Sequence, residues 1–262
     1  MRVGVFGAGG RMGSTVCRAV IADPDLELVA AVDPHHGGID LRQLIGGGGS
    51  RIQISGDADA LRLARAEVAV DFTEAAAARR NLAWCASNKV HAVVGTTGLG
   101  DNDIETLRGA FVDGVNCVLA PNFAIGAVLM MRFAEMAAPW FETAEIIELH
   151  HDGKADAPSG TAMLTLRRMA AASDEWAPDA TAEEVLTGAR GGQGAWGIRV
   201  HSVRLRGLVA HQEVLLGTTG QTLSIRHDSL DRSSFMPGVL LAVKAVAGHP
   251  GVTIGLDTIL GL

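Results

Sequence analysis

The sequence predicts an α/β protein: a doubly wound parallel sheet, followed by a second, α+β domain that carries an open mixed sheet. Three observations carry that expectation. Short Val-rich runs, nearly continuously apolar, recur up to Ala120 with amphipathic stretches between them. A glycine cluster from Gly7 to Gly13 follows the first of these runs directly. After Ala120 the pattern changes to long helical stretches and then to alternating strands.

Residues 3–6, 26–32, 68–72, 91–95 and 115–119 read as strands, because strands buried on both faces of a parallel sheet lose the polar alternation of half-exposed ones. Residues 12–20 read as a helix that places Val16, Ala19 and Val20 on one face. Residues 74–88 are Ala-rich and strongly helix-forming. This βαβαβ order implies the doubly wound sheet. Gly37-Gly38 and Gly46 to Gly49 read as surface loops. A helix is expected from residue 123 to about 138 and another from 159 to about 172, with strands over 200–226 punctuated by Gly207, Gly217 and Gly220. A last helix, 237–246, is expected to pack back on the first domain. The domain boundaries are therefore read as 1–123 plus 235–262 and 124–234, with a hinge expected near Phe123 and Ser234.

The cluster Gly7-Ala8-Gly9-Gly10-Arg11-Met12-Gly13 sits where a strand turns into a helix. Glycine lets backbone approach a pyrophosphate closely, and the helix start offers unpaired N–H groups to the anion. A bare glycine motif also fits a tight turn with no ligand. Here the second strand ends at Asp33, where an acid suits the ribose hydroxyls of a dinucleotide, so the stretch reads as a Rossmann-like dinucleotide site. Asp33 favours NAD(H), since a carboxylate repels a 2′-phosphate. Arg11 offers a 2′-phosphate partner, so NADH, NADPH or both are expected. Gly95-Thr96-Thr97-Gly98 and Ala120-Pro121-Asn122-Phe123 close the fourth and fifth strands. They either line a nicotinamide pocket or make ordinary strand-to-helix turns with Phe123 in the core.

Bulk composition narrows the class. The 262 residues are 48% hydrophobic and 19% charged, enough apolar material for a substantial core. The net charge of -7 argues against nucleic acid and against an anionic membrane surface as partners. The longest apolar run, 123–131, is cut by Arg132 and falls short of a membrane span. Cys17, Cys85 and Cys117 form no CxxC pair and lie among apolar neighbours, so they read as small buried thiols in a reducing compartment. The first residues lack the apolar stretch and cleavage site of a secretory leader, and a cytoplasmic protein is expected. No metal site is read.

The chemistry is densest from Glu145 to Ala162, Glu-Ile-Ile-Glu-Leu-His-His-Asp-Gly-Lys-Ala-Asp-Ala-Pro-Ser-Gly-Thr-Ala. His150, His151 and Lys154 fall together at a strand end, and such groups hold anions and move protons near neutral pH. Ser159-Gly160-Thr161 then opens a helix, where a hydroxyl and free N–H groups make a carboxylate cradle. A capped helix behind a polar loop would explain Ser159 alone, but not the whole constellation.

These eighteen residues resemble the signature of the 4-hydroxy-tetrahydrodipicolinate reductase (dihydrodipicolinate reductase) family, through Glu145, Glu148, His150, Lys154, Asp156 and Pro158 to Ala162. The resemblance extends to Gly7–Gly13, Asp71-Phe72-Thr73, Gly95–Gly98 and Ala120–Phe123 as cofactor segments. It also takes in Arg204, Gly207, His211, Glu213 and residues 226–232 in the second domain. One position departs: Gly153 stands behind Asp152, where many relatives carry another histidine. The resemblance implies NAD(P)H-dependent reduction of a cyclic dicarboxylate in diaminopimelate and lysine biosynthesis. It implies His150 as general acid/base and Lys154 as proton donor. His151, Ser159, Gly160 and Thr161 would hold the substrate carboxylates, and the protein would be a homotetramer built through the open sheet. Arg204 and Arg232 fit substrate contact, a salt bridge or support of the sheet. Two other readings share part of this pattern. An aspartate- or homoserine-type dehydrogenase shares the architecture but not the His-His-x-x-Lys segment with Pro-Ser-Gly-Thr-Ala. A non-catalytic dinucleotide sensor would have no need of His150 and Lys154 together.

Overall fold

The computed structural model describes residues 1–49 and 51–262. The chain divides into two compact units, Met1–Phe123 with Phe235–Leu262, and Ala124–Ser234.

The first unit opens with β1 (Arg2–Phe6), α1 (Arg11–Ala22), β2 (Glu27–Val32), α2 (Leu41–Ile45) and α3 (Asp59–Leu63). It continues through β3 (Val68–Asp71), α4 (Ala75–Ser87), β4 (His91–Val94), α5 (Asp101–Ala110) and β5 (Cys117–Leu119). Its six strands form one parallel sheet in the order β11-β5-β4-β3-β1-β2, where β11 is Val252–Ile254. β1 lies between β2 and β3, so the sheet winds outward from it in both directions. That reversal leaves a crevice at the carboxyl ends of β1 and β3, the usual ligand position in such sheets. Phe6, Val32, Leu82, Val94, Phe111 and Cys117 share one core between sheet and helices.

The second unit contains α6 (Ile125–Ala137), β6 (Thr143–His150), α7 (Gly160–Ala172) and β7 (Gly192–Gln193). It ends with β8 (Arg199–Arg204), β9 (Ala210–Thr218) and β10 (Gln221–Ser229). The sheet order is β10-β9-β6-β8-β7, with β6 and β8 parallel and the other pairs antiparallel. Ala144, Ile146, Val200, Val214 and Leu216 pack with Ala134, Leu166 and Met169 of α6 and α7. The alternate residues point to the other face: Glu145, Ile147 and Leu149 on β6 lie in register with Arg199, His201 and Val203 on β8 and with Leu215, Glu213 and His211 on β9. This is the open face that the strand pattern predicts.

The structure refines the sequence reading in several places. Leu26, Phe72, Gly95 and Val115 fall outside the strands, whose ends are shorter than their apolar runs. α2, α3, α5, β7 and β11 are additional. α2 and α3 span five residues each, too short for helical periodicity to show. Cys17 takes the buried position of α1 beside Val16 and Val20, while Ala19 is only half-buried. The last helix, α8 (Met236–Ala245), packs on α1. All three cysteines are buried thiols, and burial pushes Cys17 and Cys117 up to about 12, so they stay protonated and inert.

Candidate active site

The glycine turn has the shape of an anion cradle. Gly7 has φ +65, a conformation that a side chain would strain. A Cβ on Gly13 would sit 2.0 Å from the Gly7 carbonyl oxygen, so the helix meets the turn at backbone contact distance. Among the described residues no side chain caps α1 at Gly10, which leaves the first-turn N–H groups to an anion. Arg11 is exposed beside them, Met12 is half-buried, and Ala8 is fully buried. The residues present therefore fit a dinucleotide pyrophosphate.

Asp33 is tied into the glycine turn itself. It is 5% exposed; Oδ2 accepts from the Gly9 N–H at 2.9 Å and Oδ1 from the His35 N–H at 2.9 Å. Burial works against its ionisation. His36 and the two N–H groups outweigh burial and hold the carboxyl below its usual range. His36 lies against the turn: a Cβ on Gly9 would meet its ring at 2.2 Å. Nothing in the residue pattern assigns His36 that place, because it follows only from how the β2 end folds back.

At the ends of β3 and β4, Asp71 is buried and takes four donors. The Thr73 N–H and hydroxyl reach Oδ1 at 2.8 and 2.6 Å, the Thr96 hydroxyl reaches it at 3.1 Å, and the Asn81 amide reaches Oδ2 at 2.7 Å. Gly95 is covered by the Phe72 ring, which packs on Phe123 with centroids 5.5 Å apart. Thr97 and Pro121 are exposed and Asn122 half-buried, whereas Ala120 and Phe123 are buried. The side chains of Ala8, Ala120 and Phe123 are thus core packing. Of the two readings of Phe123, the core one holds for its ring.

In the second unit the site grows from the end of β6. Alternation puts Glu148 on the same face as Ala144 and Ile146, against α7, and it is 0% exposed. A bare buried carboxylate is costly, and this one is filled. Arg204 on β8 grips it with both terminal nitrogens, at 2.9 and 2.8 Å. The Ser159 N–H reaches it at 3.2 Å, and His150 Nδ1 bonds to it. Burial raises the Glu148 carboxyl, but Arg204, Ser202 and His150 together bring it below its usual range. Burial, with the Lys154 and Arg204 charges, lowers His150 against the pull of Glu148, so the imidazole is held below its usual range and is neutral near pH 7.

The rest of the segment gathers here. Lys154 Nζ bonds to Asp156 Oδ1 at 2.7 Å, and Arg204 holds the Asp156 carbonyl at 2.6 Å. His151 is exposed. Ser159 caps α7, its hydroxyl accepting from the Ala162 N–H at 3.2 Å, and Gly160 and Thr161 form the first turn. Arg206 pairs with Asp152 at 2.8 Å on the surface. A neutral imidazole, an ammonium and a helix N-terminus within one strand–loop–helix can bind an anion and pass protons to it. Of the two arginines left open by the sequence, Arg204 makes a buried salt bridge and Arg232 is exposed.

Glu148 had a sequence signal that assigned it no role: a charge on the buried face of an alternating strand. A separate cavity of about 400 Å³, walled by Trp176, Trp196 and Leu215, contains Glu145, Asp179, Arg190 and Arg199, whose charges pair with one another. Among the described residues no cluster of His, Cys, Asp and Glu could hold a metal, and no helix is long and apolar enough to cross a membrane.

Comparison with known proteins agrees with this geometry. The family profile described as dihydrodipicolinate reductase, N-terminus, matches residues 1–123, and its C-terminus counterpart matches residues 126–260. The 4-hydroxy-tetrahydrodipicolinate reductase of Cutibacterium acnes is 51% identical over 100% of this chain and 99% of its own. That of Nocardia farcinica is 50% identical over the same shares. Among solved structures, the dipicolinate-bound dihydrodipicolinate reductase from Paenisporosarcina sp. TG-14 superposes with a TM-score of 0.84 at 38% identity, covering 99% of both chains.

Proposed function

The chain belongs to the dihydrodipicolinate reductase family, and from that premise we propose that it reduces 4-hydroxy-tetrahydrodipicolinate to tetrahydrodipicolinate with NADH or NADPH, in diaminopimelate and lysine biosynthesis. The observation that carries the reading is the grouping of His150, Lys154 and the Ser159-capped helix at one end of β6.

The first unit binds the dinucleotide. Gly7, Ala8, Gly9, Gly10, Arg11 and Met12 cradle its pyrophosphate, chiefly through backbone. Asp33 faces the adenosine ribose, while Gly95, Thr96, Thr97, Ala120, Pro121, Asn122 and Phe123 border the nicotinamide. When bound, the dinucleotide supplies the hydride. The second unit binds the dicarboxylate, with His151, Ser159, Gly160 and Thr161 on its carboxylates. The ring loses its 4-hydroxyl as water and gains hydride at carbon 4. His150 serves as general acid/base, and Lys154 protonates the enamine-like ring as negative charge develops. A dipicolinate-bound relative of the same architecture is consistent with a planar dicarboxylate at this site.

Self-association as a homotetramer belongs to the same proposal. The half-buried Ile147, Leu149, Val203 and Leu215 share the sheet face away from α6 and α7, and a partner sheet would remove them from water. The protein is expected to work in the cytoplasm.

A coupled assay tests the reading. Freshly generated 4-hydroxy-tetrahydrodipicolinate is supplied with NADH and NADPH separately, and oxidation of the dinucleotide is followed. Rapid oxidation with either is expected, and the two rates rank the cofactors. Dinucleotide binding without oxidation contradicts the reading.

A further inference from the structure

Glu148 joins strands and a helix of the second-unit site through His150, the Ser159 N–H and Arg204. His150 ends the same strand, Ser159 begins α7, and Arg204 crosses from β8 while holding the loop that carries Lys154 by the Asp156 carbonyl. We propose that Glu148 is a positioning residue: it fixes His150 as the Nδ1–H tautomer, so that Nε2 is the nitrogen offered for proton transfer. The same carboxylate locks the α7 N-terminus to that ring. The inference rests on the role given to His150 above.

The chemistry follows from donor counting. An ionised carboxylate only accepts hydrogen bonds. With Arg204 spanning both its oxygens, Glu148 stays ionised, so the neutral imidazole must carry its hydrogen on the nitrogen that faces it. The register explains why one acid serves so many partners. Glu148 pairs with Ser202 on β8 and Gln212 on β9, which centres it in the sheet, and His150 two residues on emerges on the same face beside Arg204. The side chain beneath Gln212 is Thr165 of α7, bonded to it at 2.8 Å, so the floor under the carboxylate is itself held.

The test begins with the unmodified protein. Nitrogen-15 NMR of the histidine rings at neutral pH reads the tautomer of His150 directly. Protonated Nδ1 with bare Nε2 is expected; the reverse tautomer overturns the proposal. The second arm is Glu148→Gln, which keeps the size and an acceptor for the Ser159 N–H but loses the charge. A loss of about 10²–10⁴-fold in kcat is expected, with the tautomer population shifting toward Nε2–H and NADH affinity unchanged within about twofold. A purely structural role would lower the melting temperature and leave the tautomer of the folded fraction as it was. A Gln variant with unchanged tautomer and kcat within about threefold therefore overturns the proposal. If the variant does not fold, the wild-type spectrum decides alone. Failure of the function reading looks different: wild-type protein would not oxidise NADH with the substrate, whatever tautomer His150 shows.

Discussion

Asp71 in the first unit and Glu148 in the second both lie near the carboxyl end of a strand, out of solvent, yet their partners differ in kind. Asp71 is held by two threonine hydroxyls, an asparagine amide and a backbone N–H, all neutral. Glu148 is held by a guanidinium and an imidazole as well as a backbone N–H and the Ser202 hydroxyl. Neutral donors order three segments, Thr73, Thr96 and α4, without bringing ionisable groups to the site. Cationic and titratable donors place groups that exchange protons. The difference matches the proposed division, in which the first unit binds by shape and the second carries the proton chemistry.

The largest expected effect lies on the proton-handling side. Lys154→Ala should lower kcat by about 10²–10⁴-fold, with the NADH dissociation constant within about twofold of wild type. Single-turnover kinetics and a fluorescence titration read the two quantities separately. Equal losses in both would break the division between the units. Asp71→Asn should do the opposite. Its amide cannot accept from all four donors, and one unpaired buried donor costs about 1–3 kcal/mol. NADH affinity should fall about tenfold, while kcat at saturating dinucleotide stays within about threefold; a normal affinity would mean that the order Asp71 imposes on Thr73 and Thr96 does not bear on the dinucleotide.

A smaller effect belongs to Ser159→Ala, which deletes the α7 cap at a cost of about 1 kcal/mol. KM for the dicarboxylate should rise several-fold with little change in kcat, and an unchanged KM would mean that the hydroxyl only caps the helix. The smallest effect is pH dependence of stability. Burial lowers His150 and His227 in the second unit and His91 in the first. A histidine kept neutral by folding takes up its proton more readily when unfolded. Its contribution is therefore full above the unfolded value of about 6.5 and lost as pH falls through that value toward the folded one. Urea denaturation between about pH 7 and about pH 5 should show declining stability. Hydrogen exchange should place more of the loss in the second unit than in the first. Uniform loss would erase that contrast.

Much of this was legible in the residues because both sites sit where local patterns end. Val3 to Phe6 running into Gly7 announces a strand and a turn, and Pro158-Ser159-Gly160 announces a helix start. Less legible were features that depend on neighbours distant in the chain. β11 is three residues long and gains its meaning only beside β5. His36 meets Gly9 because β2 returns beside β1, and Arg204 meets Glu148 because β8 aligns parallel to β6, fifty-six residues apart in the chain. Phe123 could be read either as a pocket wall or as core until its ring was placed on Phe72. Periodicity shows which face a residue takes, and only tertiary contacts show what it meets there.

The most direct test of the account is isotope transfer. The protein would be given NADH deuterated at nicotinamide carbon 4 together with 4-hydroxy-tetrahydrodipicolinate, and the product would be examined by mass spectrometry and NMR. Tetrahydrodipicolinate labelled at ring carbon 4 is expected, with no label entering that position from deuterated water. A product without the label, or no product while the dinucleotide still binds, would contradict it.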